Sequence, residues 1–257
     1  MIRAMQPALT IRRLRLLATV AVLAAAAALR PAGAAEDAPL RLLVVTGGHG
    51  YDTNEFRAMF TTLPGIEPRF VAHPEAHAWL AADRAAEWDV LVMYDMWQPI
   101  TPEVRRDFRQ RIEEGKGLVA LHHSLVNYQD WPLYAQIVGG RYHLEPWDDH
   151  GEKGPASTYL HDVDLKVQVL NRAHPLTLGM ADFPIHDETY GGLELKPTAK
   201  PLLATQEPTS SPVIAWVKTW QKGRVAAIQL GHDKQAYQNP AYRRLLKNAI
   251  RWTAHRD

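Results

Sequence analysis

The sequence predicts an α/β domain in which a mainly parallel sheet is covered by helices on both sides. Three observations carry this. Short apolar and β-branched runs alternate along the chain with segments whose apolar residues recur at helical spacing. The first such pair reads strand, glycine loop, helix: residues 42–46, then Gly47-Gly48-His49-Gly50, then Phe56, Met59, Phe60 and Leu63 on one helical face. The 257 residues, 46% of them apolar, suffice for one sizeable core but sit low for two.

The elements follow in order. Asp52 and Glu55 stand at the spacing of a capping box for the first helix. A second strand is expected at 69–72 and an apolar third at 90–94, the latter introduced by an amphipathic segment around Trp79, Leu80 and Trp88. Thr101-Pro102 supplies an N-cap with proline in the first turn, Val104, Phe108 and Ile112 continue one face, and Gly115 ends that helix. A buried strand at 118–121 and a short helix at 133–138, closed by Gly139-Gly140, come next. The polar stretch 141–161 shows no periodicity and is expected to be loop. Strands at 165–170, 202–205, 213–217 and 225–230 precede a terminal helix whose inner face carries Tyr242, Leu245, Leu246 and Ile250. An antiparallel excursion is expected in this second half, where strands follow one another without helices.

The first residues read as a separate signal. Arg3, Arg12, Arg13 and Arg15 precede an apolar stretch from Leu16 to Leu29 and a small-residue exit at Ala32-Gly33-Ala34. The division expected is a secretory signal peptide over 1–34, a short tether over 35–40 and the α/β domain over 41–257, with the mature chain periplasmic or secreted. Arg15 stands where a twin-arginine signal prefers an aliphatic or aromatic residue, so the Sec route fits better. No other segment is long and apolar enough to span a membrane.

Composition excludes several classes. A net charge of +1 with no long run of like charge argues against nucleic-acid binding and against a polybasic membrane anchor, which leaves small molecules as ligands. Zero cysteines removes disulfides, thiolate metal ligands and cysteine nucleophiles together.

In open sheets of this kind ligands bind beyond the carboxyl ends of the strands. That rule gathers His49 after the first strand, Asp95 after the third, His122-His123-Ser124 after the fourth, and His232-Asp233 after the last. His143 beside Gly139-Gly140 and the run His186-Asp187-Glu188-Thr189-Tyr190 join them. Imidazole titrates near neutrality, so it moves protons or, when neutral, ligates metal. His123, His232 and Glu188 are the catalytic candidates. His49, His122, His143, Asp95, Trp131, Tyr190 and Asp233 are candidates for substrate binding. His49, His123, His143, Glu188 and His232 have ligand chemistry suited to a divalent ion such as zinc, although no HxH or HxxxH spacing selects a subset. Adjacent strand residues face opposite ways, so only one of His122 and His123 is expected to face the pocket until the backbone turns. Ser124 lacks a G-x-S-x-G setting and reads as a cap for the next turn. The glycine loop lacks a Walker lysine and dinucleotide spacing, and reads as a tight turn. Trp97, Trp131, Trp147 and Tyr190 near these loops suit a sugar ring.

The run from Gly115 through Leu121-His122-His123-Ser124, with Trp131, Gly139-Gly140, His143, His174-Pro175-Leu176-Thr177, Asp187-Glu188-Thr189-Tyr190, Pro212 to Trp216, Gly223-Arg224-Val225 and Leu230-Gly231-His232, resembles the ThuA-like (trehalose utilisation) family. The resemblance runs from about Leu42 to Ala254. It implies a flavodoxin-like, class I glutamine amidotransferase-like three-layer sandwich and a role in bacterial carbohydrate metabolism around trehalose-related or 3-keto sugars. Where those amidotransferases carry their cysteine, His122-His123 stand here, and His232 lies near the place of their catalytic histidine. Glutamine hydrolysis through a thioester is therefore excluded.

The expectation is an exported sugar-processing protein working by His/Glu acid-base chemistry. Its rivals are a non-catalytic sugar-binding domain and a metal-dependent hydrolase of a non-sugar substrate. Three histidines brought to one edge exceed what passive binding needs, which favours an enzyme.

Overall fold

The computed structural model of the protein describes residues 38–149 and 151–256 together with Met1. The expected leader beyond Met1 and the first three residues of the expected tether lie outside the described residues. Among the described residues no helix is long and apolar enough to cross a membrane.

The opening unit forms as β1 (Leu40–Gly47), α1 (Thr53–Thr61) and β2 (Ile66–Ala72), and two 3-10 turns then lead to β3 (Val90–Asp95). Then come α2 (Pro102–Glu113), β4 (Gly117–Leu121), a 3-10 turn His122–Val126, and α3 (Pro132–Val138). The second half supplies β5 (Gly140–Arg141), β6 (Trp147–Asp149), β7 (Glu152–Gly154), β8 (Thr158–Val169), β9 (Phe183–Gly191), β10 (Glu194–Leu195), β11 (Lys200–Ala204), β12 (Val213–Trp220) and β13 (Gly223–Ile228). The chain closes with α4 (Lys234–Gln238) and α5 (Pro240–Thr253).

Among the described residues nine strands form one sheet in the order β2-β1-β3-β4-β13-β12-β11-β8-β9. The first five are mutually parallel and the rest antiparallel, so the sheet is mixed, as the sequence led one to expect. Strand residues alternate between two apolar layers. Val44, Val92, Val119 and Ile228 face α1, α4 and α5 through Phe56, Phe60, Tyr237 and Leu245. Leu43, Val45, Leu91, Met93 and Leu118 face α2 and α3 through Phe108, Ile112, Tyr134 and Ile137. Of the five parallel strands, β1, β3, β4 and β13 are buried on both sides, which is why they read as apolar runs, whereas the edge strand β2 is only partly buried.

Several local expectations change. The stretch 141–161 is not one loop: it holds β5, β6, β7 and the start of β8. Its side chains over 158–162 are exposed, so no apolar alternation marks the strand. β9 was not expected as a strand at all, since Pro184 and a polar run hide its period. The Asp52/Glu55 capping box does not form. Asp52 instead accepts a bond from the Lys234 amide at 3.0 Å and so ties α1 to α4. Ser124 caps nothing: its buried hydroxyl has no partner, and its carbonyl accepts from the Tyr134 hydroxyl at 2.8 Å.

Candidate functional site

The strand ends converge as the topology requires. Gly47 and Gly48 turn the chain after β1 with φ of 138° and 90°, and a Cβ on Gly48 would lie 1.9 Å from the Met96 carbonyl oxygen. Only glycine fits there, and the turn delivers His49. After β4 the chain turns sharply, with His122 itself in the left-handed region at φ 43°. The turn resolves the question of facing: His122 and His123 both reach the site, one into its floor and one into the cavity.

Glu188 on β9 is the hub. Its Oε2 lies 2.7 Å from His122 Nε2 and 3.1 Å from His232 Nδ1, while Oε1 lies 3.4 Å from His161 Nδ1. His161 and Asp162 form a two-residue bulge in β8 opposite Glu188, because Leu160 pairs with Thr189 and Val163 with Asp187. The bulge re-aims His161 at the carboxylate. Asp187, fully buried beside it, accepts the amides of Gly231 at 2.7 Å and of His232 and Glu188 at 2.9 Å. The His232 carbonyl accepts from the Tyr94 and Tyr237 hydroxyls at 2.9 and 2.8 Å. Backbone and side chain of His232 are thus held from three elements.

The two faces of the histidine group differ electrically. Burial holds His123 well below its ordinary pKa, helped by His122 and His49 nearby. Burial likewise lowers His49, whose ring stacks on His123 at 3.4 Å and 4°. Burial works to raise Glu188, but the bonds from His122 and His232 outweigh it and hold the carboxyl at about 2. Burial works to lower His232, and its bond to Glu188 with the nearby Asp187 and Asp233 outweighs that, leaving it raised. A neutral imidazole and a readily protonated one therefore stand with their rings 5.4 Å apart.

These groups open onto a cavity of about 280 Å³. His49, His123, His161, Glu188, Tyr190 and His232 form its polar part, and Met96, Trp97, Val126, Tyr142, Leu144 and Tyr159 the rest. Among the described residues His122, His123, Glu188 and His232 offer ligand atoms all within 4.8 Å of one another, a group that could hold a metal ion.

Other sequence candidates lie elsewhere. Asp95 is fully buried, with Oδ2 accepting from His73 Nε2 at 2.7 Å and Asn127 Nδ2 at 2.6 Å. His143 Nε2 donates to Glu194 at 2.8 Å and stacks on Trp147. Trp131 packs on Phe108 at the start of α3. Asp233 caps α4 through the Gln235 and Ala236 amides. None of these four lines the cavity. His161 and Tyr159 leave no sign in the sequence because the exposed start of β8 reads as loop, and Tyr142 and Leu144 leave none because they lie in the irregular segment between β5 and β6.

A family model described as ThuA, trehalose utilisation, matches residues 41–253. The chain belongs to the ThuA family. Among solved structures it is similar to a putative ThuA-like protein of Parabacteroides merdae, at 16% identity with a TM-score of 0.71, covering 84% of this chain and 90% of that one. A second, from Bacteroides uniformis, has 20% identity and a TM-score of 0.63 over 84% and 92%. A cytoplasmic protein of Salmonella typhimurium has 15% identity and a TM-score of 0.58 over 83% and 99%. At these identities the likeness shows the fold. No curated protein matches the chain.

Proposed function

We propose that this ThuA-family protein is a sugar-processing enzyme that moves protons on 3-keto glycosides, with His123 as base and His232 as acid. One observation carries the reading: a buried neutral imidazole and a carboxylate-paired, raised imidazole share one cavity. Neighbouring groups whose environments push their pKa values apart are the mark of an acid and a base. The C3 carbonyl of such a substrate acidifies the C2 proton. His123 takes that proton, the electron pair forms a C1–C2 double bond, and the C1–O bond breaks. The departing oxygen takes a proton from His232, so an enone and an alcohol result. Glu188 orients His122 and His232 and favours the protonated form of His232, which regains a proton from solvent between turnovers while His123 releases the one it took. At about 280 Å³ the cavity lies at the small end of ligand pockets, which suits one sugar ring and a modest substituent.

The test is release of the alcohol from a methyl 3-keto-glucoside. Turnover by the wild-type protein that vanishes in His123→Ala and His232→Ala, with circular dichroism unchanged, supports the assignment. Undiminished turnover in both variants sinks it.

A second reading rests on a separate observation. His122 Nδ1 must donate to the Gln229 carbonyl, so Nε2 meets Glu188 Oε2 as a bare lone pair unless a proton or a cation lies there. His232 Nδ1 stands 3.3 Å from that Nε2, about the spacing of donor atoms around a tetrahedral zinc ion bonded at ~2.0–2.1 Å. His122, Glu188 and His232 would hold such an ion, and the backbone carbonyl on Nδ1 is the outer-shell partner such ligands use. Bound there, a divalent ion would supply Lewis acidity toward the sugar carbonyl. Stoichiometric metal in the purified protein, lost in Glu188→Gln, favours this reading.

Export belongs to the same proposal, from the Arg-rich, apolar, small-residue order of residues 1–34. N-terminal sequencing of the protein recovered from its producing cells should find a chain starting near Ala35.

A further inference from the structure

The cavity has two chemistries, and the acid-base reading uses only one. Beyond the histidines its walls are Met96, Trp97, Val126, Tyr142, Leu144 and Tyr159. Among the described residues no Asn, Gln, Ser, Thr, Lys or Arg side chain lines it. A second sugar brings several hydroxyls that need partners once water is displaced, and these walls offer little beyond two tyrosine hydroxyls. An apolar group needs none.

The outer wall is also more exposed than a monomer's large apolar side chains should be. Trp97 is 58% exposed, Tyr159 61% and Leu144 40%. Isolated exposed apolar residues mean little, but a cluster rimming a cavity marks a binding surface. Tyr159 connects to the acid through His161: its ring lies 5.3 Å from that of His161, which lies 4.7 Å from that of His232. The exposed aromatic wall therefore adjoins the side where the departing oxygen takes its proton.

Trp97 is held in place at a cost. It has φ 54°, a left-handed conformation that bulky residues seldom adopt. Both neighbours are pinned: the Met96 amide donates to the Gly47 carbonyl at 3.0 Å, and the Gln98 amide donates to Asn127 Oδ1 at 3.0 Å. Asn127 is fixed by buried Asp95, which His73 also holds. A buried polar network that the proton chemistry does not use thus presents one exposed indole at the cavity mouth.

We propose that the substrate is a glycoside with an apolar, ring-sized aglycone, seated in the collar of Trp97, Leu144 and Tyr159 while the keto sugar rests on the histidines. The inference rests on the acid-base reading and adds the leaving half of the substrate.

The experiment compares methyl and cyclohexyl 3-keto-glucosides of the same anomeric form, since the two alcohols depart with similar ease and differ in apolar surface. The wild-type protein should favour the cyclohexyl compound in kcat/KM by at least about tenfold, carried by KM. In Trp97→Ala and Tyr159→Ala that ratio should fall toward one. Equal KM values, or a preference that both variants retain, overturn the aglycone inference while methyl turnover leaves the acid-base reading standing. If neither compound is bound or turned over, both fall together.

Discussion

Two buried histidine–carboxylate pairs lie beyond the same sheet edge and have the same length. His122 meets Glu188 at 2.7 Å, and His73 meets Asp95 at 2.7 Å. The difference is what surrounds them. Glu188 lines a cavity and has His232 and His161 as further partners. Asp95 is sealed, with Asn127 on the same oxygen and Oδ1 left without a partner. A buried histidine–carboxylate pair is therefore not in itself a sign of chemistry. Access and a second titrating group set the two apart.

The largest expected effect breaks the comparison on the cavity side. Glu188→Gln removes the charge that holds His232 protonated and leaves His122 and His232 without an anion. Turnover of a keto glycoside should drop by about 10²–10⁴-fold, the usual worth of a placed proton-transfer group, with melting temperature little changed. A loss under about fivefold would put the chemistry elsewhere.

Asp95→Ala tests the sealed pair. It strands His73 and Asn127 in a dry setting, and removing one partner of such a pair costs about 3–5 kcal/mol. For a domain of this size that lowers the melting temperature by about 6–20 °C. Turnover of the methyl glycoside, which does not reach the Trp97 wall, should stay within about tenfold of wild type per folded molecule. The opposite pattern, a stable but inactive Asp95→Ala, would reverse the roles given to the two pairs.

The sequence made one side of this contrast plain and hid the other. β1, β3, β4 and β13 read as strands because burial on both faces makes them apolar throughout, and their ends named His49, His122, His123 and His232. The strand-end rule locates a residue without orienting it, so Asp95 qualified on the same terms although its carboxylate turns into the β2–β3 side. His161 lies on the exposed half of β8, where no apolar period marks a strand, and Glu188, although named from its motif, lies on β9, whose mostly buried but polar run lacks one too. Their meeting depends on a two-residue bulge, a feature of pairing that one strand's residues cannot announce.

The smallest effect sharpens the sealed side. His77 stands edge-on to His73 at 4.5 Å, and the Tyr128 hydroxyl reaches its Nε2 at 3.1 Å. Burial, with His73 adding and Asp95 opposing, holds its pKa down to about 4. Between that value and the ordinary 6.5 the unfolded chain binds more protons at this position than the folded one. Stability from His77 is therefore complete above about 6.5 and declines as pH falls toward 4. His77 is partly exposed, so screening reduces the effect to on the order of 1 kcal/mol. Urea unfolding of the wild-type protein and His77→Gln at pH 7.5 and 5.0 isolates it, because every other titrating group is shared. The wild-type protein should lose more stability between the two conditions than the variant does. Parallel losses would mean that His77 is protonated in the folded state, and that the sealed region is wetter than its packing indicates.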